Sequence, residues 1–193
     1  MRLGEQGIYE IFQIATEERC IHKIDMSSRD QRFVAIHRGG LLDPKSHSAL
    51  ALWAANCAKG VLPLFEKTIK DSRPRNAIII GKAWAAGNVK TGGAMKASLA
   101  AHAAARNAKD PITKAAARAA GQAVATAHCA DHSMGALLYV LKIHRLRGTS
   151  LDRVFKAQIA KLPAKLRPMV KKGVLSRLPI KVHLKKTRDS QIK

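Results

Sequence analysis

Aromatic residues are scarce in this chain: two Trp, two Tyr and four Phe make up 4% of its 193 residues. A core built from Ala, Leu, Val and Ile favours close helix packing over a β-sandwich, whose strands are enriched in aromatic and β-branched side chains. Cysteines are also few, and Cys20, Cys57 and Cys129 are far apart and odd in number. Their spacing excludes a dense disulfide framework and predicts reduced thiols in a cytoplasmic protein.

Long apolar runs are missing as well. No segment approaches the ~18 uninterrupted apolar residues that a membrane-spanning helix needs. Glu5, Glu10, Glu17 and Glu18 interrupt the apolar residues near the N-terminus, which is unlike a secretory signal. We therefore expect a cytoplasmic protein without a membrane partner.

Acidic residues are the third deficiency, since 13 Asp and Glu stand against 35 Lys and Arg, for a formal net charge of +22. The last 33 residues, 161–193, hold eleven basic side chains and one acidic one, Asp189. Such a block either keeps a protein soluble or binds polyanions, and at low salt it binds nucleic acid non-specifically. The candidate polyanion contacts are Lys171, Lys172, Arg177, Lys181, Lys185, Lys186 and Arg188.

Local signals predict an all-α fold. Asp43-Pro44 and Asp110-Pro111 each place a capping side chain before a proline in the first turn of a helix. We predict a compact bundle of about six to eight helices, with Pro63 kinking or ending the first long one. The expected segments are 5–16, 29–38, from 44 onward, 72–87, 91–107, 111–147 as two helices or one kinked helix, 150–162 and 168–177.

Composition divides the chain into three parts. Residues 1–28 form an N-terminal arm or extra helix, residues 29–178 a single helical domain, and residues 179–193 a basic, flexible tail. Eighteen alanines between Ala94 and Tyr139 indicate tightly packed central helices. Small residues four apart would form a ridge against which a neighbouring helix packs closely. That ridge comprises Ala117, Gly121, Ala125, Cys129 and Ser133, and the expected partner helix carries Ala97, Ala101, Ala105 and Ala108.

Polar residues within the Ala-rich segment are the main candidates for chemistry. His128 and His132 are four apart, so both rings would leave one helix face, with Asp131 next to it and His102 on the facing helix. These residues could hold a metal ion, could line a ligand or catalytic pocket, or could form a buried hydrogen-bond network with Thr126, Ser133 and backbone carbonyls. We favour the structural network, and we predict no catalytic residue, no bound metal and no cofactor.

Three groups of segments carry a family resemblance: 38–43 with 51–66, 73–78 with 83–87, and 119–132 with 135–142. A weaker match follows at 158–167. Together they resemble the immunity proteins of bacterial polymorphic-toxin systems, over about residues 32–170. The resemblance implies an all-helical cytoplasmic protein that protects its producer by binding a toxin. This chain departs from the family pattern at Asn56, where relatives tend to be acidic, and at Lys59-Gly60, where they tend to have Glu-His.

Three functions stay open at this point. The leading one is a non-enzymatic, immunity-like protein that blocks a protein partner by covering its surface. The charge of +22 predicts that this partner surface is acidic. The alternatives are a nucleic-acid-associated basic helical protein and a metal-dependent enzyme using His102, His128 and His132.

Overall fold

The computed structural model of the protein describes residues 30–178. The predicted arm at 1–28, including the helix at 5–16, and the predicted tail at 179–193 lie outside the described residues. Within 30–178 the fold is all-α, and its only extended pairing is an isolated bridge between Ala35 and Leu42. The predicted fold class is confirmed, whereas the domain boundaries stay predictions.

Seven α-helices and three 3₁₀-helices follow one another in the described part of the chain. The 3₁₀-helices are Gln31–Phe33, Ile36–Arg38 and Ala164–Leu166. The α-helices are α1 (Pro44–Glu66), α2 (Arg73–Ala85), α3 (Thr91–Asn107), α4 (Pro111–Ala125), α5 (His132–Leu146), α6 (Leu151–Ala160) and α7 (Arg167–Arg177).

Side-chain caps set the starts of three helices. Asp43 accepts a hydrogen bond from the Ser46 amide at 2.8 Å before α1, and Asp110 accepts one from the Thr113 amide at 2.6 Å before α4. Ser150 caps α6 in the same way. Such bonds satisfy amides that have no partner inside the helix. The predicted helix starts at residues 44, 111 and about 150 are therefore confirmed.

Two local predictions need correction. The single helix expected at 29–38 is two 3₁₀ turns, because the Ile36 amide donates to the Leu42 carbonyl and the Leu42 amide to the Val34 carbonyl. These two bonds use the Ile36 amide and the Val34 carbonyl, which a continuous helix would need for its own hydrogen bonds. Helix α1 does not end at Pro63, since it continues for three residues to Glu66, and the alternative of a kink there stays a prediction.

Helix α4 is the centre of the bundle and packs against α1, α2, α3 and α5. Beyond Ile112, Lys114 and Arg118 are its only partly exposed residues, and the other helices cover the rest of it. Its side chains are small, so the surrounding helices come close. Its fully buried alanines are Ala116, Ala117, Ala119, Ala120 and Ala123.

The predicted contact between α3 and α4 is confirmed at Gly121. Ser98 Oγ of α3 donates to the Gly121 carbonyl at 3.0 Å, and the His102 ring lies directly over Gly121. The ridge itself ends at Ala125, which corrects the prediction that Cys129 and Ser133 extend it. The chain leaves the helix there, because residues 126–131 form turns between α4 and α5.

Helix α1 is long and apolar enough, by length and composition, to cross a membrane. Polar residues interrupt its apolar sequence, so the absence of a long uninterrupted apolar run did not reveal this helix. Core helices of soluble proteins pass the same test, and 56% of this apolar window is buried inside the protein. Its Trp53 ring is buried and donates from Nε1 to the Gln158 carbonyl at 2.8 Å. These contacts favour a core helix.

Alanine substitutions at two helical glycines test the close approach at Gly121. A Cβ at Gly121 would lie 2.6 Å from the His102 ring, whereas a Cβ at Gly60 of α1 would meet no atom within 4 Å. We expect Gly121→Ala to lower the free energy of unfolding by about 1–3 kcal/mol because of overpacking. Gly60→Ala should raise it by up to about 1 kcal/mol because alanine is the better helix former. Urea denaturation measures the free energy of unfolding of both variants. An equal increase in the two would show that the His102 ring moves aside without cost.

Candidate functional site

A cleft of about 90 Å³ opens where the turn 126–131 lies beside the segment 33–38 and the ends of α2 and α3. Residues 127–130 form one wall of this cleft. We call this feature the cationic cleft. The side chains that give it its chemistry are His37, Arg38, His47, Trp84, Thr91 and His128.

Hydrogen bonds and ring contacts hold the cleft together. His47, near the start of α1, bonds from Nε2 to the Thr126 carbonyl at 2.6 Å. The same ring makes an edge contact with Trp84, with 4.8 Å between ring centroids. Trp84 Nε1 in turn donates to Thr91 Oγ1 at 3.2 Å. Trp84 is therefore a cleft residue that also borders the core.

Arg38 reaches across the cleft from the N-terminal segment. Its Nη1 donates to the His128 carbonyl at 3.2 Å, so the guanidinium is tied to the turn between α4 and α5. The side chain is otherwise exposed, as is that of its neighbour His37. Among the described residues that line the cleft, none is acidic. The cleft thus presents a positive potential, which suits a carboxylate or another anionic group.

Burial lowers the pKa of His47, and the nearby charges of His37 and Arg38 act in the same direction. The hydrogen bond to the Thr126 carbonyl opposes this shift but is the weaker influence. His47 is therefore neutral near pH 7, with its proton on Nε2 because a carbonyl can only accept. Arg38, whose guanidinium stays protonated, gives the cleft a permanent positive charge.

A second polar cluster lies at the end of the turn 126–131 and the start of α5. Cys129 Sγ donates to Asp131 Oδ1 at 2.8 Å, and Arg177 Nη2 donates to Asp131 Oδ2 at 3.3 Å. His132 Nδ1 bonds to Gln122 Oε1 at 2.7 Å. We call Cys129, Asp131 and His132 the loop cluster. Their ligand-type atoms all lie within 4.8 Å of one another.

The structure brings together only some of the predicted polar residues. The rings of His128 and His132 are close, with centroids 4.9 Å apart. They do not share a helix face as predicted, because His128 lies in the turn and His132 begins α5. His102 lies over Gly121, and the loop cluster contains Cys129 in its place. The expected set of His102, His128 and His132 is thus not assembled as one group of ligand atoms among residues 30–178.

The hydrogen-bond partners also differ from those expected. His132 bonds to Gln122, whereas Asp131 bonds to Cys129 and Arg177. A glutamine in the middle of an alanine-rich helix was a signal for a buried polar partner. No comparable signal marked His47 or Arg38.

The predicted polyanion contacts are only partly within the described residues. Lys171 and Lys172 are exposed on α7. Arg177 is exposed, but its guanidinium pairs with the buried Asp131 at 3.3 Å, so its charge is partly neutralised. The other four, Lys181, Lys185, Lys186 and Arg188, lie outside the described residues.

Comparison with protein families matches residues 40–165 to the family described as Imm-5 like putative immunity protein. The chain belongs to this family. The match runs from the segment before α1 through α6, and it includes His47, Trp84 and the turn 126–131. The resemblance to immunity proteins is thereby confirmed. No curated protein and no solved structure matches the chain.

The lowered pKa of His47 gives a testable pH dependence. The unfolded chain, with an ordinary histidine pKa of 6.5, binds a proton that the folded protein does not, so stability falls as the pH drops below about 6.5. We expect His47→Gln to flatten this slope. Urea denaturation across about pH 5 to 7.5 measures it. The same slope in both proteins would show that other histidines cause it.

Proposed function

We propose that this immunity-family protein neutralises a protein toxin by covering its surface, without chemistry of its own, in the cytoplasm of the cell that makes it. Membership of the immunity-protein family supports the role, and the family is typically non-enzymatic. The observation that carries the mechanism is the distribution of charge over the described domain. A steric inhibitor needs a rigid, preorganised surface and no catalytic residues.

Residues 30–178 contain twenty-six Lys and Arg but only seven Asp and Glu. Each of the seven acidic side chains bonds to a neighbour within the protein, either as a helix cap or in an ion pair. The pairs are Asp30 with Arg32, Asp43 with Ser46 and Lys165, Glu66 with Arg75, Asp71 with Arg73, Asp110 with Thr113, Asp131 with Arg177, and Asp152 with Lys156. The remaining Lys and Arg leave the domain with a cationic excess, which favours an acidic partner.

The cationic cleft is the centre of the proposed contact surface. Beside Arg38, the side chains of Ile36 and Leu41 are 56% and 71% exposed. Exposed apolar side chains around an arginine and a half-buried tryptophan are typical of the residues that carry most of the binding energy of an interface. An acidic side chain of the partner would enter the cleft and pair with Arg38, while the apolar residues pack around it.

The first experiment is a pull-down with the tagged full chain from lysate of the producing cells, with and without nuclease. We expect one stoichiometric protein that survives nuclease, and that blocks growth when expressed without the immunity protein. Interaction lost on nuclease treatment would instead support the nucleic-acid alternative. In that case deleting residues 179–193 should flatten the dependence of nucleic-acid binding on salt.

Matched charge reversals locate the interface. With the purified partner, Arg38→Glu should reduce affinity by about tenfold or more, because it removes a charge pair at the centre of the contact and adds a repulsion. Lys59→Glu makes the same change in net charge at an exposed position of α1 more than three turns from His47, and should have a much smaller effect.

Stopped-flow measurements at increasing salt test the electrostatic part. We expect the association rate to fall steeply as ionic strength rises. Equal losses in both charge variants, or a rate independent of salt, would contradict a contact centred on the cationic cleft.

A further inference from the structure

We propose that the loop cluster, Cys129, Asp131 and His132, is a binding site for one Zn²⁺ ion. Thiolate, carboxylate and imidazole are the three ligand types that zinc uses in proteins. In this structure one atom of each type lies within 4.8 Å of the others, close enough to share one ion. Cys129 and Asp131 are buried, and His132 is partly buried.

The hydrogen bond of His132 fits this assignment. His132 Nδ1 must donate its proton to Gln122 Oε1, because an amide oxygen only accepts. In the neutral ring this leaves the lone pair on Nε2 as the donor to a metal. Metal-binding histidines typically donate their other N–H to such an outer partner, which fixes the tautomer and the ring orientation.

Asp131 is arranged in a similar way. Its Oδ2 accepts from Arg177, while its Oδ1 faces Cys129 Sγ. One carboxylate oxygen is thus held by an outer partner, and the other points toward the remaining ligands. Gln122 is itself confined, because a Cβ at Gly135 of α5 would lie 2.6 Å from its Oε1.

Zinc binding would displace one proton. Without an ion, the thiol of Cys129 donates a hydrogen bond to Asp131. When Zn²⁺ binds, that proton is released to solvent, and the S–H···O hydrogen bond is replaced by bonds from zinc to sulfur and to oxygen. Thiolate and carboxylate together carry two negative charges, of which the nearby Arg177 offsets one. Three protein ligands leave the fourth tetrahedral position for water.

The consequence for the protein concerns the turn 126–131. Residues 127–130 form one wall of the cationic cleft, and the loop cluster lies at the end of the same turn. Zinc would fix this turn against the start of α5. The inference concerns the loop cluster alone and does not depend on the identity of any toxin partner.

The test uses the tag-free full chain with Cys20→Ser in every variant, so that only two thiols remain. Zinc affinity is measured by competition with a chromophoric chelator, and Co²⁺ serves as a spectroscopic probe. We expect one Zn²⁺ per chain, a cobalt spectrum with a thiolate-to-metal band and tetrahedral d–d bands, and an increased melting temperature on adding zinc.

Variants assign the ligands. Cys129→Ser and His132→Gln should each lower zinc affinity by more than about 100-fold and abolish the thiolate band or change the d–d bands. Gln122→Ala, which removes only an outer contact, should lower affinity by about 10–100-fold. Circular dichroism of the metal-free proteins checks that each variant is folded.

Control substitutions are available for both ligand types. Cys57 is a second buried thiol, bonded to Gln158 Oε1 in the core, and burial raises its pKa to about 12. His144 bonds to Thr149 on the surface of α5. Cys57→Ser and His144→Gln should bind zinc like the parent. Sub-stoichiometric binding in the parent, or unchanged affinity in Cys129→Ser, would overturn the proposal.

Discussion

The close approach of four helices to α4 is the constraint on which the rest of the structure depends. A central helix can be enclosed by α1, α2, α3 and α5 only if its side chains are small, because interiors pack to the density of organic crystals. Gly81 of α2 shows how close this contact is, since a Cβ there would lie 3.4 Å from the Val124 backbone. The scarcity of aromatic residues follows from the same geometry, since large rings do not fit between helices this close.

The end of this central helix creates the polar region of the protein. When the chain leaves α4 at Ala125, backbone groups of a buried turn need partners, because an unsatisfied buried carbonyl is costly. The His47 ring is the hydrogen-bond partner of the Thr126 carbonyl, and the Arg38 guanidinium is the partner of the His128 carbonyl. The cationic cleft and the loop cluster lie on this same turn, so a single structural necessity brings together most of the side chains that could act on a partner or an ion.

Charge connects this architecture to an immunity role. The few acidic residues of the described domain are used for caps and ion pairs that stabilise helices and their connections. Exposed ion pairs contribute little individually, often under about 1 kcal/mol, so their larger effect is on the surface potential. With its few carboxylates in caps and ion pairs, the domain keeps a cationic excess, which in the proposed role would steer an acidic protein toward it. A steric inhibitor gains from rapid capture, because its target must be bound before it acts.

The sequence determined the features that depend on neighbouring residues. Asp43 and Asp110 start helices because each side chain bonds an amide three residues further on, and an alanine-rich segment favours helices that pack closely. The turn 126–131 could not be predicted in this way. The spacing of four residues placed Cys129 and Ser133 on the same helix as the ridge. Its shape depends on His47 and Arg38, which are 79 and 90 residues away from their partners in the chain. Only the tertiary structure brings such distant groups together, and it therefore decided the candidate site.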